Sequence, residues 1–339
     1  MRVVSECDFE CFSKRNIYSL ALTSLRTACH PRDGYLAGHG MCGIVGLFLK
    51  NHKLKPELGG LLGTMLTTLS ERGPDSAGFA VYSEARPERI KLTLRGGSDT
   101  DFDAISAAIG LCLGAEVSIC RRDTHAVLSV PATRADEVRA ELGRIAPAVT
   151  IVGLGRRMEL YKEVGLPAEV ARRFDLAGMA GTHAIGHTRM ATESAVTTDG
   201  AHPYSTGPDQ CLVHNGSLSN HNSLRRELRR DGIDFATEND TEVAAGYLTW
   251  RLHQGMGLGA ALETALADLD GFYTFVVGTE SGFGVLRDPI ACKPAVMAEA
   301  DDYVAFGTEY RALADLPGIE RARVFEPEPA KVYFWDLKQ

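Results

Sequence analysis

Long apolar runs are missing from this 339-residue sequence. Stretches such as CGIVGLFL (42–49) and FYTFVVG (272–278) are less than half the roughly 18 residues that a membrane-crossing helix needs, so no membrane partner is expected. Positive charge is in deficit, with 36 Lys and Arg against 44 Asp and Glu for a net charge of -8. No basic stripe interleaved with aromatics is visible, which argues against nucleic acid, because phosphate binding needs clustered cations. The eight Cys, at 7, 11, 29, 42, 112, 120, 211 and 292, form no CxxC pair and no regular framework. Reduced thiols and a cytoplasmic location are therefore expected. A secretory signal is lacking as well: the apolar IYSLALTSL is preceded by Glu6, Asp8 and Glu10, where such signals carry positive charge. There is no repeat period and no low-complexity tract.

What the sequence does contain starts at GHGMCGIVGLFLK (38–50), where a Cys opens an apolar run forty residues into the chain. An unperturbed thiol has a pKa of about 8.5 and needs a base to attack an amide. A terminal α-amine titrates at roughly 7.7–8.0, so a Cys at a true N-terminus carries its own base. Residues 1–41 show neither sustained periodicity nor a clean helix cap. They read as an upstream extension, either cleaved before Cys42 or preceding a true initiator at Met41.

From Met41 the pattern is globular. CGIVGLFL, SAGFAVYS and RIKLTLRG read as strands, the third running on from the second, and ELGGLLGTMLTTLSERG reads as a helix. Residues 98–180 alternate helices and strands and read as an inserted α/β unit. Beyond them, HAIGHTRMAT and QCLVHNGSL read as strands, the second stopping at the Asn-Gly turn signal. Three helices follow, then closely spaced strands bounded by Gly, Pro and Asp. Many antiparallel strands with helices between them imply two packed sheets with helices outside, an α+β architecture.

Six short motifs occur in one order: MCGIVG (41–46), RGPDSAG (72–78), GHTRMAT (186–192), AHPYS (201–205), VHNGSL (213–218) and NDTEV (239–243). Each alone has a bland reading, HNG as a turn and Asp240 as a helix N-cap. As an ordered set they resemble the class II glutamine amidotransferases, which are N-terminal nucleophile hydrolases. The resemblance covers 42–335 apart from the insertion, and implies a four-layer αββα sandwich of two mostly antiparallel sheets. It further implies that Cys42 is the nucleophile and that Asn215 and Gly216 form the oxyanion hole. By the same resemblance Arg189 binds the substrate α-carboxylate, Asp240 pairs with the α-ammonium, and Thr192 and His202 line the pocket. Arg72 and Asp75 would buttress the strand that begins at Cys42.

The chain departs from amino-sugar-forming members at Met190 and Glu193, where those carry Trp and His, and its insertion is larger. In that respect it looks like the stand-alone subunits of glutamate-synthase-like and N-methylglutamate-synthase-like complexes. The implied function is a glutaminase that works through a Cys thioester. It would release glutamate and pass ammonia to a separate, flavin-containing synthase subunit of the glutamate-synthase type, within a hetero-oligomer. The alternatives are an amidotransferase for another synthase, such as the asparagine-forming type, and a non-catalytic regulatory subunit with Cys42 blocked. His183, His187, His202 and His214 invite a metal reading, but no unexplained thiol or acid spacing supports it. VGLG (152–155) lacks the third glycine and the acid of a dinucleotide fingerprint. No metal and no cofactor are expected.

Overall fold

In β1 (Gly43–Leu49) every residue is buried, which an alternating polar pattern could not allow. Ile44 and Phe48 enter one apolar cluster, whereas Val45, Leu47 and Leu49 enter another on the opposite face. A strand with two buried faces lies inside a layered structure. The computed structural model that shows this describes residues 42–191 and 195–337. The upstream extension expected over 1–41 lies outside the described residues, as do Thr192 and Glu193.

After β1 come α1 (Leu58–Thr68) and β2 (Ser76–Tyr82), then β3 (Arg89–Arg95), α2 (Phe102–Leu113), β4 (Ser118–Arg122), β5 (His125–Pro131), α3 (Ala135–Ile145) and β6 (Thr150–Gly155). The chain continues through β7 (Met158–Val164), α4 (Pro167–Arg173), β8 (His183–Arg189), β9 (Tyr204–Gly207), β10 (Gln210–Leu218), α5 (His221–Arg230), α6 (Asp240–His253) and α7 (Leu258–Asp268). It ends with β11 (Gly271–Gly278), β12 (Gly282–Arg287), β13 (Val296–Glu299), β14 (Tyr303–Gly307), β15 (Arg323–Phe325) and β16 (Val332–Asp336).

Two antiparallel sheets carry the body, one ordered β15-β13-β14-β1-β8-β2-β7 and the other β16-β12-β11-β10-β9. Between them pack Ile44, Phe48, Tyr82 and Ile185 from the first and Val213, Val276, Phe283 and Val285 from the second. Leu62, Met65 and Leu66 of α1 cover the outer face of the first sheet. Val243, Ala244, Leu248 and Leu262 of α6 and α7 cover that of the second. The order is helix, sheet, sheet, helix. Each fully buried Leu, Ile or Phe in these layers contributes about 1.5–3 kcal/mol.

A third sheet, ordered β4-β5-β3-β6, belongs to a βαββαβ unit whose strand and helix order is that of a split β-α-β motif. It has its own core of Leu92, Leu94, Phe102, Ile109, Leu128 and Leu142. The unit takes in β3, upstream of residue 98, which pairs with β5 and β6 and not with β2. It leaves out β7 and α4: β7 pairs with β2 along its whole length in the seven-stranded sheet. At the return to the body, the buried Asp209 carboxylate accepts the backbone N–H groups of Arg156, Arg157 and Met158 at 2.7–2.9 Å.

Candidate active site

The pairing of β1 with β8 sets Gly43 opposite Thr188, so the register carried one residue on brings Cys42 beside Arg189. Cys42 is half-buried, and its thiol donates to the Met190 carbonyl at 3.9 Å. Burial pushes the thiol pKa up, and the charges of Arg189 and Lys293 oppose that shift. The resting sulfur is therefore a thiol that needs a base to become a nucleophile. Arg189 is itself buried, with Nη1 3.5 Å from the Ala195 carbonyl.

The loop after α1 locks this corner. Gly73 lies so close to the backbone of Thr188 and Arg189 that a Cβ there would collide with it. The Asp75 amide donates to the Arg189 carbonyl (3.1 Å), and the Asp75 carboxylate accepts the Ala191 amide (2.8 Å). Arg72 pairs with Glu309, just beyond Thr308, whose hydroxyl takes the Ile44 N–H at 2.8 Å. Both residues thus stand behind the strand ends that carry Cys42 and Arg189.

The opposing wall comes from the second sheet. β10 does not stop at Asn-Gly: it runs on to Leu218, with Asn215 opposite Thr274 and Gly216 opposite Tyr273 on β11. A turn signal survives inside a strand because Gly216 adopts φ +146°, and any Cβ there would strike the Phe272 carbonyl. The Asn215 side-chain amide donates to the Cys42 carbonyl at 3.0 Å, which ties the two sheets together at Cys42. Asn239 caps α6 by accepting the Thr241 N–H at 2.8 Å, so the cap falls one residue before Asp240. Asp240 sits in the first turn, where the helix dipole favours an anion, and accepts the Leu218 N–H at 2.9 Å.

Cys42, Arg189, His202, Asn215, Gly216 and Asp240 all line one cavity of about 1000 Å³. Arg72 and Asp75 do not reach it. The motif reading also misses Lys293, which lines the cavity from the β12–β13 loop, and Thr241, which lines it next to Asp240. No local pattern around ACKPAV marks Lys293; proximity in the fold alone reveals it.

The histidines separate. His183 stacks on Tyr82 at 4.1 Å and faces the Thr279 carbonyl, away from the site. His187 and His202 stack at 4.0 Å, and His202 and His214 both meet Thr241. Burial pushes His183 and His187 down to about 3 and His202 well below the ordinary range. These are neutral rings at physiological pH. Among the described residues no group of three or more His, Cys, Asp or Glu is placed to hold a metal ion.

The comparisons with known proteins agree with this geometry. A family model described as a glutamine amidotransferase domain matches residues 187–315. The chain is 62% identical over 297 residues to the glutamine amidotransferase-like protein GlxB of Rhizobium meliloti (strain 1021), covering 87% of this chain and 98% of the relative. Over 160 residues it is 33% identical to glutamine–fructose-6-phosphate aminotransferase (isomerizing) of Vibrio cholerae, 47% of this chain but 25% of that protein. In fold it is similar to the glutamine phosphoribosylpyrophosphate amidotransferase of B. subtilis, with a TM-score of 0.56 at 20% identity. That match covers 88% of this chain and 48% of the solved one, so the chain spans about half of that structure. The chain belongs to the class II glutamine amidotransferases, and it has their fold of packed antiparallel sheets between helices.

Proposed function

We propose that the protein is a glutaminase subunit in which Cys42 attacks the side-chain amide carbon of L-glutamine. The observation that carries this reading is the convergence on one cavity of a thiol, a side-chain amide beside an obligatory glycine, and an Arg and an Asp of opposite charge. Glutamine needs a partner for each of its polar groups. Arg189 suits the α-carboxylate, since a planar guanidinium can fork onto it. Asp240 suits the α-ammonium, and His202 lines the same pocket. Thr192, beside Arg189 in sequence, is proposed for the same pocket.

The α-amine of Cys42 takes the thiol proton as the S–C bond forms. The oxyanion is received by Asn215, whose amide carries a second proton beyond the one given to Cys42, and by the Gly216 N–H. Collapse breaks the C–N bond, and ammonia leaves with the proton returned by the amine. Water then cleaves the thioester, giving glutamate and the free thiol. This chemistry requires a free α-amine on Cys42, so the proposed working form begins there. Residues 42–339 then make one amidotransferase domain carrying the small βαββαβ unit as an insertion.

The ammonia acceptor is proposed to be a separate synthase subunit of flavin-containing, glutamate-synthase-like type, in a hetero-oligomer. Intact-mass measurement of protein from its native host, with glutamate release assayed on the same sample, tests the reading. A chain starting at Cys42 that releases glutamate supports it. A chain that retains residues before Cys42 and still hydrolyses glutamine overturns the N-terminal-amine mechanism.

A further inference from the structure

Thr241 belongs to none of the groups assigned above, yet its side chain lies at the centre of a buried polar cluster in the wall of the cavity. It is the second residue of α6 and 1% exposed. Its hydroxyl oxygen is 2.8 Å from His202 Nε2, 3.0 Å from His214 Nδ1 and 3.5 Å from Asp240 Oδ1. A hydroxyl has one proton to give and two lone pairs to fill. An ionised carboxylate only accepts. Every contact is satisfied in one arrangement: both imidazoles donate to the hydroxyl, and the hydroxyl donates to Asp240.

The unpartnered atoms agree with that arrangement. Among the described residues, His202 Nδ1 and His214 Nε2 are buried without a partner. Each is the nitrogen left unprotonated if the opposite nitrogen donates to Thr241. His187 follows the same rule: Nε2 faces the His214 carbonyl at 3.1 Å and must carry the proton, and Nδ1 is the unpartnered atom. If Thr241 donated to an imidazole instead, that ring would hold its proton on a buried nitrogen with no acceptor. A buried N–H without an acceptor is the costlier defect.

We propose that Thr241 is a positioning residue for Asp240. Its hydroxyl collects the protons of His202 and His214 and presents its own to the carboxylate. With the Leu218 N–H on Oδ2 at 2.9 Å, the Thr241 hydroxyl 3.5 Å from Oδ1 and His214 Nδ1 3.8 Å from the same Oδ1, both carboxylate oxygens of Asp240 face donors that orient it. Thr241 then governs capture of the α-ammonium of glutamine, not the attack on the amide. This inference rests on the glutaminase reading.

The test is steady-state hydrolysis of L-glutamine and of glutaramic acid, the same amide and carboxylate without the α-ammonium. Thr241→Val should raise KM for glutamine by about two- to five-fold, because a long hydroxyl contact that helps orient the carboxylate is lost. Its kcat should stay within about two-fold, and its ratio to wild type on glutaramic acid should be near one. Thr241→Ser, which keeps the hydroxyl, should restore KM. Thr241→Ala added to Asp240→Asn should change KM no further, which keeps the proposal testable if the Val variant folds poorly. Equal losses on both substrates would mean a purely structural role and overturn the proposal. Wild-type protein inert toward glutamine would remove the glutaminase reading with it; an active wild type and an unchanged variant KM would remove this proposal alone.

Discussion

The two large sheets build one cavity by different means. The seven-stranded sheet offers strand ends: Cys42 precedes β1 and Arg189 closes β8. Residues at strand ends have no ladder on one side, and here a loop from elsewhere, through Gly73 and Asp75, holds them. The five-stranded sheet offers residues inside a strand and a helix start, Asn215 and Gly216 within β10 and Asp240 at the head of α6. Asn215 and Gly216 are fixed by register, with Thr274 and Tyr273 opposite, and Asp240 by the Leu218 N–H that its carboxylate accepts. In the proposed mechanism the group that forms a covalent bond stands at a strand end, and the two groups that receive the oxyanion, Asn215 and Gly216, stand on the ladder. The sheets are joined across their gap by two imidazoles of β8: His183 donates to Thr279 and His187 to His214, each through Nε2 to a carbonyl.

The largest break in this division of labour is Cys42→Ala. Glutamine hydrolysis should fall by at least about 10⁴-fold with the fold retained, since the remaining polar groups alone give modest catalysis. Glutamate release and circular dichroism check it; retained activity would sink the nucleophile assignment. Next in size is acid. His183 and His187 are held down to about 3 by burial, against about 6.5 in an unfolded chain. The unfolded state therefore binds more protons below pH 6.5, and stability is full above that pH and lost as pH falls toward 3. Between pH 6.5 and 4.5 the two rings together should lower unfolding free energy by about 2–5 kcal/mol. Chemical denaturation at both pH values measures this; a flat profile would mean the rings are protonated in the folded protein.

Asn215→Ala tests the ladder side. It should lower kcat by about 10²–10³-fold, with a smaller drop in melting temperature than Gly216→Ala from the lost bond to the Cys42 carbonyl. Gly216→Ala should lower both, because its Cβ meets the Phe272 carbonyl at a positive φ. If the two variants lose kcat without differing in stability, the register argument is wrong. Arg189→Lys tests the strand-end side: losing the fork should raise KM for glutamine by about 10- to 30-fold and leave kcat nearly intact.

Much of this was legible from the residues. The all-apolar β1 and the motif order pointed to two packed sheets, and the motif residues that line the cavity come from five separated segments. What failed did so for tertiary reasons. Asn-Gly at 215–216 looks like a turn, but Tyr273 and Thr274 extend the ladder past it. RIKLTLRG looks continuous with β2, yet β3 pairs with β5 and β6, strands separated from it by tens of residues. The cluster around Thr241 was invisible because a hydroxyl between two imidazoles leaves no spacing signature.

The smallest expected effect separates charge from geometry at the strand end. Asp75 accepts the Ala191 N–H through Oδ2 and donates its own N–H to the Arg189 carbonyl. Asp75→Asn keeps a side-chain acceptor of the same reach and leaves the backbone bond untouched. Only the charge-assisted part of one hydrogen bond is removed, about 0.5–1.5 kcal/mol at most. KM for glutamine should therefore rise by about two- to ten-fold through a looser Arg189, with kcat less affected. Asp75→Ala, which removes the acceptor, should do more. If Asn and Ala at this position are equally damaging, the charge of Asp75 acts on the cavity directly, and the strand end is supported electrostatically as well as by hydrogen bonding.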